Sequence, residues 1–431
     1  MACRGEGLST VPPLNSPPGR VVEFDRLLRF AQRAVTAGNE PFGYLDEYGR
    51  VDERQGHHLW ITTRMTHVFA LGSMLDRTGS NDLASRGVDA LNNVFRDSAS
   101  GGWFGKLSWH GQVLDDRKTM YDHAFVVLAA ATATLAGISG GKELLSESLD
   151  VVDHRFWDEE AGACREGWDR VWGATEDYRG ANSNMHAVEA FLAAGQVTGD
   201  ERWTRRALRI AERLVHHEAA SHGWRLPEHY SSSWAIQPDY NRANAADRFR
   251  PFGITIGHLV EWARLLIHIE SALDSPPAWL PQAAKSMFES AMRLGWQADG
   301  SPGLVYTVDW DDRPVVPERM HWVAIEAAMA SNVLARRTGE LRYSEWEGLL
   351  WRDVQRFVDL ENGSWHHELD ASGAVSSTVW SGKPDVYHAV QGMLLPDLPL
   401  TPSLANSLVA SRGDSMKGVS PTSMVAEPDC P

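Results

Sequence analysis

The segment FGITIGHLVEWARLLIHI, residues 252–269, combines an apolar helical pattern with two side chains that can do chemistry. From Leu259 onward the apolar residues recur at the spacing of a buried helix, yet His258 and Glu261 stand one turn apart at its start. This spacing places the imidazole and the carboxylate on one helical face. An imidazole exchanges a proton near neutral pH, and a carboxylate can orient that imidazole or a substrate hydroxyl. The pair therefore suggests acid–base catalysis at the start of a core helix.

Comparable polar sets recur along the chain at intervals of 58 to 72 residues. The sets are Trp60, Arg64 and His67; Tyr121, Asp122 and His123; Asn182, His186 and Glu189; Arg248, His258 and Glu261; His321, Trp322 and Glu326; and Trp380, Lys383, Asp385, His388 and Gln391. A lone histidine at a helix start is usually a structural hydrogen-bonding group, but the shared phase favours a functional role for His258 and His388. For His67, His123 and His321 a supporting role is an equal alternative, and Glu189 and Glu326 lie where they could simply satisfy buried partners.

The elements that must position these residues form a repeat of about sixty residues, which occurs six times. In each unit a short segment rich in glycine and aromatic residues accompanies two amphipathic helical patterns. The short segments are FGYLDEYGR (42–50), GGWFGKLSWHGQ (101–112), GACREGWD (162–169), HGWRLPEHY (222–230), GSPGLVYTVDWDD (300–312) and GSWHHELDASG (363–373). This pattern predicts an all-α closed (α/α)6 barrel with short β-hairpins at one rim; an open α-solenoid is the alternative. In a closed barrel the polar sets would line one central funnel.

Composition and charge restrict the partners of this protein. No shift in composition divides the repeats, so we expect one catalytic barrel domain at residues 21–400 between flexible tails at 1–20 and 401–431. The net charge of −16 argues against a nucleic-acid partner. The absence of a signal segment and of a long apolar run predicts a cytoplasmic protein without a membrane partner. The 3 cysteines give no disulfide framework, whereas the 18 tryptophans suit a cleft that stacks on sugar rings.

Motifs that resemble metal or cofactor sites are weak. In HHE at 216–218 and HHEL at 366–369 the side chains of adjacent residues point in different directions, which does not suit a shared metal ion. Neither an HExxH motif nor a pair of CxxC motifs is present. DWDD at 309–312 is similar to an acidic motif of terpene cyclases, but Arg313 and Pro314 follow it and favour a loop. No glycine-rich phosphate loop is present. We therefore expect no metal and no cofactor.

The segments TTRMTH, YDHAF, NSNMHAVEA, GHLVEW and GKPDVYHAVQ resemble the N-acylglucosamine 2-epimerase superfamily, in order, over about residues 25–398. Within it they look most like the branch of mannose and sulfoquinovose isomerases. The resemblance implies an (α/α)6 barrel, free sugars as substrates and no cofactor. Pro384 follows Lys383 where the sulfosugar branch carries glutamine, which argues against a sulfosugar substrate.

The resemblance also implies roles for individual residues. It makes His258 and His388 the two proton-transferring histidines and Arg64 the arginine beside the reacting sugar oxygens. It gives the remaining matched positions to substrate binding: Asn182, His186 and Glu261 at hydroxyls, Trp322 and Trp380 as aromatic walls, and Arg248 as a further polar contact. Trp60, on the same helical face as Arg64, is added to the substrate-binding set.

The chemistry expected from these residues is metal-free isomerisation of an aldose to a ketose. Two imidazoles can move a proton between neighbouring carbons through a cis-enediol, and Arg64 can stabilise the enediolate. The expected substrates are D-mannose and D-fructose, with D-lyxose as a further candidate, for a monomer or a homo-oligomer. Open alternatives are a mannose/glucose 2-epimerase with the same histidines, an inverting glycoside hydrolase with two carboxylates, and a sugar-binding protein without activity.

Overall fold

The computed structural model describes residues 12–35 and 40–417, with side chains described up to residue 411. The helices are α1 (Pro17–Ala31), α2 (Leu59–Met74), α3 (Ser80–Ala90), α4 (Met120–Leu135), α5 (Gly141–Val151), α6 (Ala181–Thr198), α7 (Glu201–Ala211), α8 (Ile256–Ser271), α9 (Trp279–Gly295), α10 (His321–Thr338), α11 (Leu341–Val354), α12 (Tyr387–Leu394) and α13 (Leu404–Lys417). Short 3-10 or π-helical turns continue α1, α3, α5, α7 and α11 at their C-terminal ends.

An inner ring consists of α2, α4, α6, α8, α10 and α12. Each of these helices contacts the next one, and α12 contacts α2. They are buried almost all round: in α2 every residue except Ser73 is buried, which is why their sequences are apolar on every side. The ring is closed, so the predicted (α/α)6 barrel is confirmed and the open solenoid is excluded.

An outer layer covers this ring. Helices α3, α5, α7, α9 and α11 each pack on the inner helix that precedes them, and α1 packs on α12. Helix α7 is typical, because it buries only one face, which includes Trp203, Ala207 and Ile210. The outer partner of the last inner helix is thus the first helix of the chain, so the two ends of the repeat array meet.

The first four residues of α1 and all of α13 lie within the spans that we expected to be flexible tails. Helix α1 begins at Pro17, where the Ser16 hydroxyl caps it by accepting the backbone N–H of Gly19 at 3.2 Å. Helix α13 contacts α4 and α6. Residues 17–20 and 404–417 are therefore helical, because a run such as Ser-Pro-Pro is an N-cap followed by prolines of a first turn rather than a featureless segment. Residues 1–11 and 418–431 lie outside the described residues.

Short strands lie at the rim where the inner helices begin. They are β1 (His57–His58), β2 (Lys106–Leu107), β3 (Val113–Asp115), β4 (Lys118–Thr119), β5 (Trp157–Asp158), β6 (Ala163–Cys164), β7 (Gly167–Trp168), β8 (Arg179–Gly180), β9 (His229–Tyr230), β10 (Ile254–Thr255), β11 (Thr307–Val308), β12 (Pro314–Val316), β13 (Arg319–Met320) and β14 (Glu368–Leu369). All of the strand pairs are antiparallel, as the predicted hairpin-like rim requires.

The strands hold the starts of the inner helices at one level. Strands β1, β4, β8, β10 and β13 directly precede α2, α4, α6, α8 and α10, and each pairs with a strand of the following repeat. Before α12 the backbone N–H of Lys383 donates to the carbonyl of Leu45 at 2.9 Å, which ties the last repeat to the first. The first turns of the inner helices therefore face a common space. Within the described residues, no helix has the length and apolarity needed to cross a membrane.

Candidate active site

A partly open cavity of about 580 Å³ lies where the inner helices begin. Its lining contains Arg64, Asn182, His186, Arg248, His258, Glu261, Trp322, Trp380 and His388, together with Tyr121, Phe249, Pro251, Tyr306, His321, His367 and Asp385. The structure thus brings together all of the predicted site residues except Trp60. Trp60 lines an adjoining chamber and packs edge-on against Trp380, with ring centroids 5.9 Å apart.

His258 is held by a carboxylate that the sequence analysis did not identify. Its Nδ1 lies 2.9 Å from both carboxylate oxygens of Glu228, and both residues are buried. Glu228 directly precedes β9, whose pairing with β8 brings it to the rim, and its backbone carbonyl accepts the N–H of Ala181 at 2.9 Å. A carboxylate at Nδ1 fixes the tautomer and orientation of the imidazole and leaves Nε2 for the cavity.

His388 has the same arrangement on the neighbouring side of the ring. In the first turn of α12, its Nδ1 lies 2.9 Å from Oε1 of Glu326 on α10. Oε2 of Glu326 accepts Nε–H of Arg264 at 2.8 Å. Burial favours a neutral carboxyl, but Arg264 and the His388 hydrogen bond outweigh it and lower the pKa of Glu326. Glu326 is therefore a charged partner of the His388 imidazole. From the sequence alone this role could not be told apart from the satisfaction of a buried polar group.

Trp322 lies beside both imidazoles. Its ring centroid is 5.6 Å from that of His258 and 5.6 Å from that of His388, with tilts of 38° and 33°. A Cβ atom at position 257 would come within 2.3 Å of the Trp322 ring, so only glycine allows the indole to lie this close to the start of α8. The glycine that precedes His258 in the sequence therefore makes room for an aromatic wall between the two imidazoles.

Arg64 supplies a permanent positive charge within the cavity. Its guanidinium donates to Oδ2 of Asp385 at 3.2 Å and to the hydroxyl of Tyr121 at 2.8 Å. The group also lies 4.4 Å from the ring centroid of Phe125 and 4.9 Å from that of Tyr387. Asp385 is a member of the last polar set, and its carboxylate holds the Arg64 guanidinium in place.

Glu261 does not orient His258, although the sequence analysis allowed for it. Glu228 occupies Nδ1 of that imidazole, and Glu261 instead approaches His186, with Oε1 3.9 Å from Nδ1. Burial, together with the nearby Glu326 carboxylate, raises the pKa of Glu261 well above its ordinary value. Burial lowers the pKa of His186 to about 4, which keeps this imidazole neutral at physiological pH.

The mouth of the cavity is lined by loop residues. Arg248 precedes β10 in a turn in which Oδ1 of Asp247 accepts the backbone N–H groups of residues 249 and 250, so it does not lie on a helix with His258. Its guanidinium lies 4.9 Å from the ring centroid of Trp380, which also precedes its helix. The Asn182 side-chain amide donates to the carbonyl of Phe249 at 3.3 Å.

The other histidines of the polar sets make structural contacts. Nδ1 of His67 lies 2.8 Å from the Thr132 hydroxyl, and Nδ1 of His123 lies 2.7 Å from the carbonyl oxygen of residue 119. His321 stacks on His367 with centroids 4.0 Å apart and faces the carbonyl of that residue. Burial lowers the pKa of His67 to about 4 and of His123 and His321 to about 3. Of these three, His321 alone lines the cavity.

The motifs that resembled metal sites have other surroundings. HHE (216–218) is exposed or half-buried in the turn that continues α7, whereas His367 and Glu368 of HHEL are buried, and Glu368 accepts the backbone N–H groups of residues 378–380. Asp309 accepts backbone N–H groups of its own turn, and Asp312 pairs with Arg225 at 2.6 Å, so DWDD forms a loop. Among the described residues, one group of three His, Cys, Asp or Glu side chains has a geometry suited to a metal, and it contains neither HHE segment. That group is His186, Glu189 and Glu261.

Comparison with known proteins supports one family. The family described as N-acylglucosamine 2-epimerase (GlcNAc 2-epimerase) matches residues 41–392. The chain is 52% identical over 388 residues to a D-mannose isomerase of Thermobifida fusca, covering 90% of this chain and 95% of the relative. It is 46% identical to a D-mannose isomerase of Pseudomonas cannabina pv. alisalensis, covering 90% and 94%. A crystal structure of a D-mannose isomerase superposes with a TM-score of 0.83 at 25% identity, covering 93% of this chain and 99% of the other.

Proposed function

The chain belongs to the N-acylglucosamine 2-epimerase family, and from that premise we propose that it is an aldose–ketose isomerase that interconverts D-mannose and D-fructose. The observation that carries the proposal is the pair of imidazoles in one cavity, each with a buried carboxylate 2.9 Å from Nδ1. Two relatives that share most of their length with this chain bear the name D-mannose isomerase, which supports the choice of sugar.

The proposed reaction moves one proton between neighbouring carbons of the open-chain sugar. The unprotonated Nε2 of one imidazole takes the proton from C2 of mannose. The electrons of that C–H bond form the C1–C2 double bond, and the aldehyde oxygen at C1 takes up a proton, which gives a cis-enediol. A proton returns to C1, the proton of the C2 hydroxyl is lost, and a carbonyl forms at C2, which gives fructose. The carboxylates Glu228 and Glu326 stabilise the imidazolium that forms during each transfer, because each accepts the Nδ1–H of its histidine. Opening of the sugar ring needs the same kind of group, and the second imidazole provides it.

Arg64 is the proposed stabiliser of the enediolate. Its charge is fixed in place by Asp385 and Tyr121, so no reorganisation is needed as negative charge develops on the sugar oxygens. The Nε atom of Arg64 is buried and has no hydrogen-bond partner in the described part of the protein, which leaves one donor for an incoming oxygen.

Unpartnered polar atoms around the cavity support the binding of a polyhydroxy substrate. Among the described residues they include Oδ1 of Asn182, Nδ1 of His186, Nε1 of Trp380 and both carboxylate oxygens of Glu261. A buried polar atom without a partner is destabilising by roughly 1–3 kcal/mol, so groups of this kind are typical of a site that a ligand completes. Sugar hydroxyls both donate and accept, and the Trp322 face suits the C–H side of a sugar.

The proposal is tested with D-mannose in D₂O, followed by NMR at early time points. A proton carried by an imidazole exchanges with solvent, so the expected first product is fructose with deuterium at C1. Glucose labelled at C2 and formed ahead of fructose would identify a 2-epimerase, which can use the same histidines. Fructose without any solvent label would contradict the proton-transfer mechanism. The absence of any product from mannose would contradict mannose as the substrate.

A further inference from the structure

Three potential metal ligands meet where α6 and α8 face the cavity. Nδ1 of His186 lies 3.9 Å from Oε2 of Glu189 and 3.9 Å from Oε1 of Glu261. The three ligand atoms all lie within 4.8 Å of one another. His186 and Glu189 are three residues apart on α6 and share a face, and Glu261 enters from α8. The group therefore forms from two rigid helices of the inner ring.

Most of the ligand atoms in this group have no hydrogen-bond partner within the described part of the chain. Nδ1 of His186 and both oxygens of Glu261 lack a hydrogen bond within the described residues, although their residues are only 5% and 1% exposed. Glu189 accepts hydrogen bonds from the Tyr387 hydroxyl and from Nε2 of Gln391, and a carboxylate retains further lone pairs after two such bonds. An ion at the centre of the group would give a partner to Nδ1 of His186 and to one oxygen of Glu261 at once.

The charge around the group suits a divalent cation. Glu189 and Glu261 carry two negative charges when both are ionised. The guanidinium of Arg264 lies 3.6 Å from Oε1 of Glu261. It is also paired at 2.8 Å with the carboxylate of Glu326, so the charges of Arg264 and Glu326 cancel each other. Arg64 is likewise paired with Asp385. Binding of a dication displaces the proton that burial favours on Glu261, and the two carboxylates then balance its two positive charges.

We propose that His186, Glu189 and Glu261 bind a divalent transition metal of the Zn²⁺ type, and that this ion competes with the sugar for the cavity. One imidazole and two carboxylates are ligands that Zn²⁺ accepts in a tetrahedral site with one open position, whereas Mg²⁺ and Ca²⁺ prefer oxygen ligands alone. Because His186 and Glu261 line the cavity, the ion occupies polar atoms that would otherwise meet sugar hydroxyls. The competition rests on the proposed function; the binding of the metal does not.

Binding is measured by titrating ZnCl₂ into EDTA-treated, dialysed protein in a calorimeter, with circular dichroism as a check of folding. Glu261→Gln and, separately, His186→Gln are expected to weaken binding by about tenfold or more, since loss of even an outer-shell partner changes metal affinity by about 10- to 100-fold. The control is the double variant His216→Gln/His217→Gln, which removes the neighbouring surface imidazoles outside the cavity and should keep the affinity. Equal affinity in wild type and Glu261→Gln, or loss of binding in the control, would overturn the site.

Zinc K-edge absorption of the wild-type protein tests the same site without any variant. The expected first shell contains one imidazole nitrogen and carboxylate or water oxygens at about 2.0–2.2 Å. A shell with sulfur or with several imidazoles would overturn the assignment.

Kinetics test the competition. Added Zn²⁺ should raise the apparent KM for D-mannose without lowering kcat, and EDTA should reverse the effect. A fall in kcat at unchanged KM, or a rise in turnover, would refute competition. If the protein does not isomerise mannose at all, the proposed function fails while the calorimetric result still decides the metal site.

Discussion

Replacing Glu228 by glutamine tests how the active site is built, because it removes a charge while keeping the shape of the side chain. In the wild-type protein both carboxylate oxygens lie 2.9 Å from Nδ1 of His258. The amide oxygen of glutamine can still accept the Nδ1–H, so the ring keeps its position. What is lost is the negative charge that stabilises the imidazolium formed when His258 holds a proton.

The size of the effect follows from the burial of the pair. His258 and Glu228 are 6% and 5% exposed, so water screens their interaction little. A hydrogen bond to a charged group contributes about 1.5–3 kcal/mol, against about 1 kcal/mol for a neutral one. Glutamine keeps a neutral bond, so the loss is the difference of about 0.5–2 kcal/mol. If this difference acts fully in the transition state, kcat falls by about 2- to 30-fold, since 1.36 kcal/mol corresponds to tenfold. KM should change little, because Glu228 is not among the residues that line the cavity.

The assay is steady-state isomerisation of D-mannose by Glu228→Gln, with Glu23→Gln as a matched control. Glu23 is also a buried glutamate, but it pairs with Arg26 and accepts Nε1–H of Trp365 at 2.6 Å, on the outer helix α1. Glu23→Gln should lower the midpoint of thermal unfolding and leave kcat unchanged. A kcat of Glu228→Gln within about twofold of wild type would show that the carboxylate is not used. An equal fall of kcat in both variants would assign the effect to stability.

Three further results are expected. Replacement of His258 or of His388 by alanine should abolish turnover with unchanged helical circular dichroism. Near-wild-type activity of either variant would show that the replaced histidine does not carry out acid–base catalysis. Overnight dialysis against EDTA should leave the rate unchanged or raise it by removing inhibitory metal; a loss restored by Mn²⁺, Mg²⁺ or Co²⁺ would contradict the metal-free reaction. Acidification should destabilise the fold, because burial lowers the pKa of several histidines to about 4 (His67, His186, His268) or about 3 (His58, His123, His321). These histidines take up protons at a higher pH in the unfolded chain than in the folded one. The free energy of unfolding therefore falls below about pH 6.5, by about 1.4 kcal/mol per pH unit for each histidine that is not offset. A buried acid such as Asp122, whose pKa burial raises to about 7, has the opposite effect and offsets one histidine. Urea unfolding at pH 7 and pH 5 measures this change, and equal midpoints would refute it.

The sequence predicted the fold and the membership of the cavity well, for one physical reason. Inner helices of a closed barrel are buried on all sides, so a polar residue in their first two turns is conspicuous against an apolar pattern. Repetition at about the same phase then places such residues, for example Arg64, His258 and His388, at the same level of one ring. The roles assigned to these residues stay predictions until the variants are measured.

The carboxylate partners were harder to predict, because their positions depend on pairing between repeats. Glu228 lies in the segment HGWRLPEHY, which carries no helical pattern, and only the register of β9 against β8 brings it to the start of the inner helices. Glu261 is one turn from His258 along the helix, so local spacing left open whether it orients the imidazole or a substrate hydroxyl; the structure places Glu228 at Nδ1 of His258 instead. Residues 17–20 and 404–417 were assigned to tails although they are helical, because α1 and α13 are held by contacts with distant parts of the chain.

Closure of the ring has a direct consequence for the charge in the cavity. Arg64 belongs to the first inner helix and Asp385 precedes the last one, so their 3.2 Å ion pair spans 321 positions of the chain. The first and last repeats are also joined at this level by the Lys383 backbone bond to Leu45, and on the outer side by α1, which packs on α12. An open solenoid with the same helices would leave Arg64 without its carboxylate and would separate the first polar set from the last. The chemistry proposed for this cavity therefore requires a closed ring, since the arginine of the first repeat and the histidine of the sixth must face one sugar.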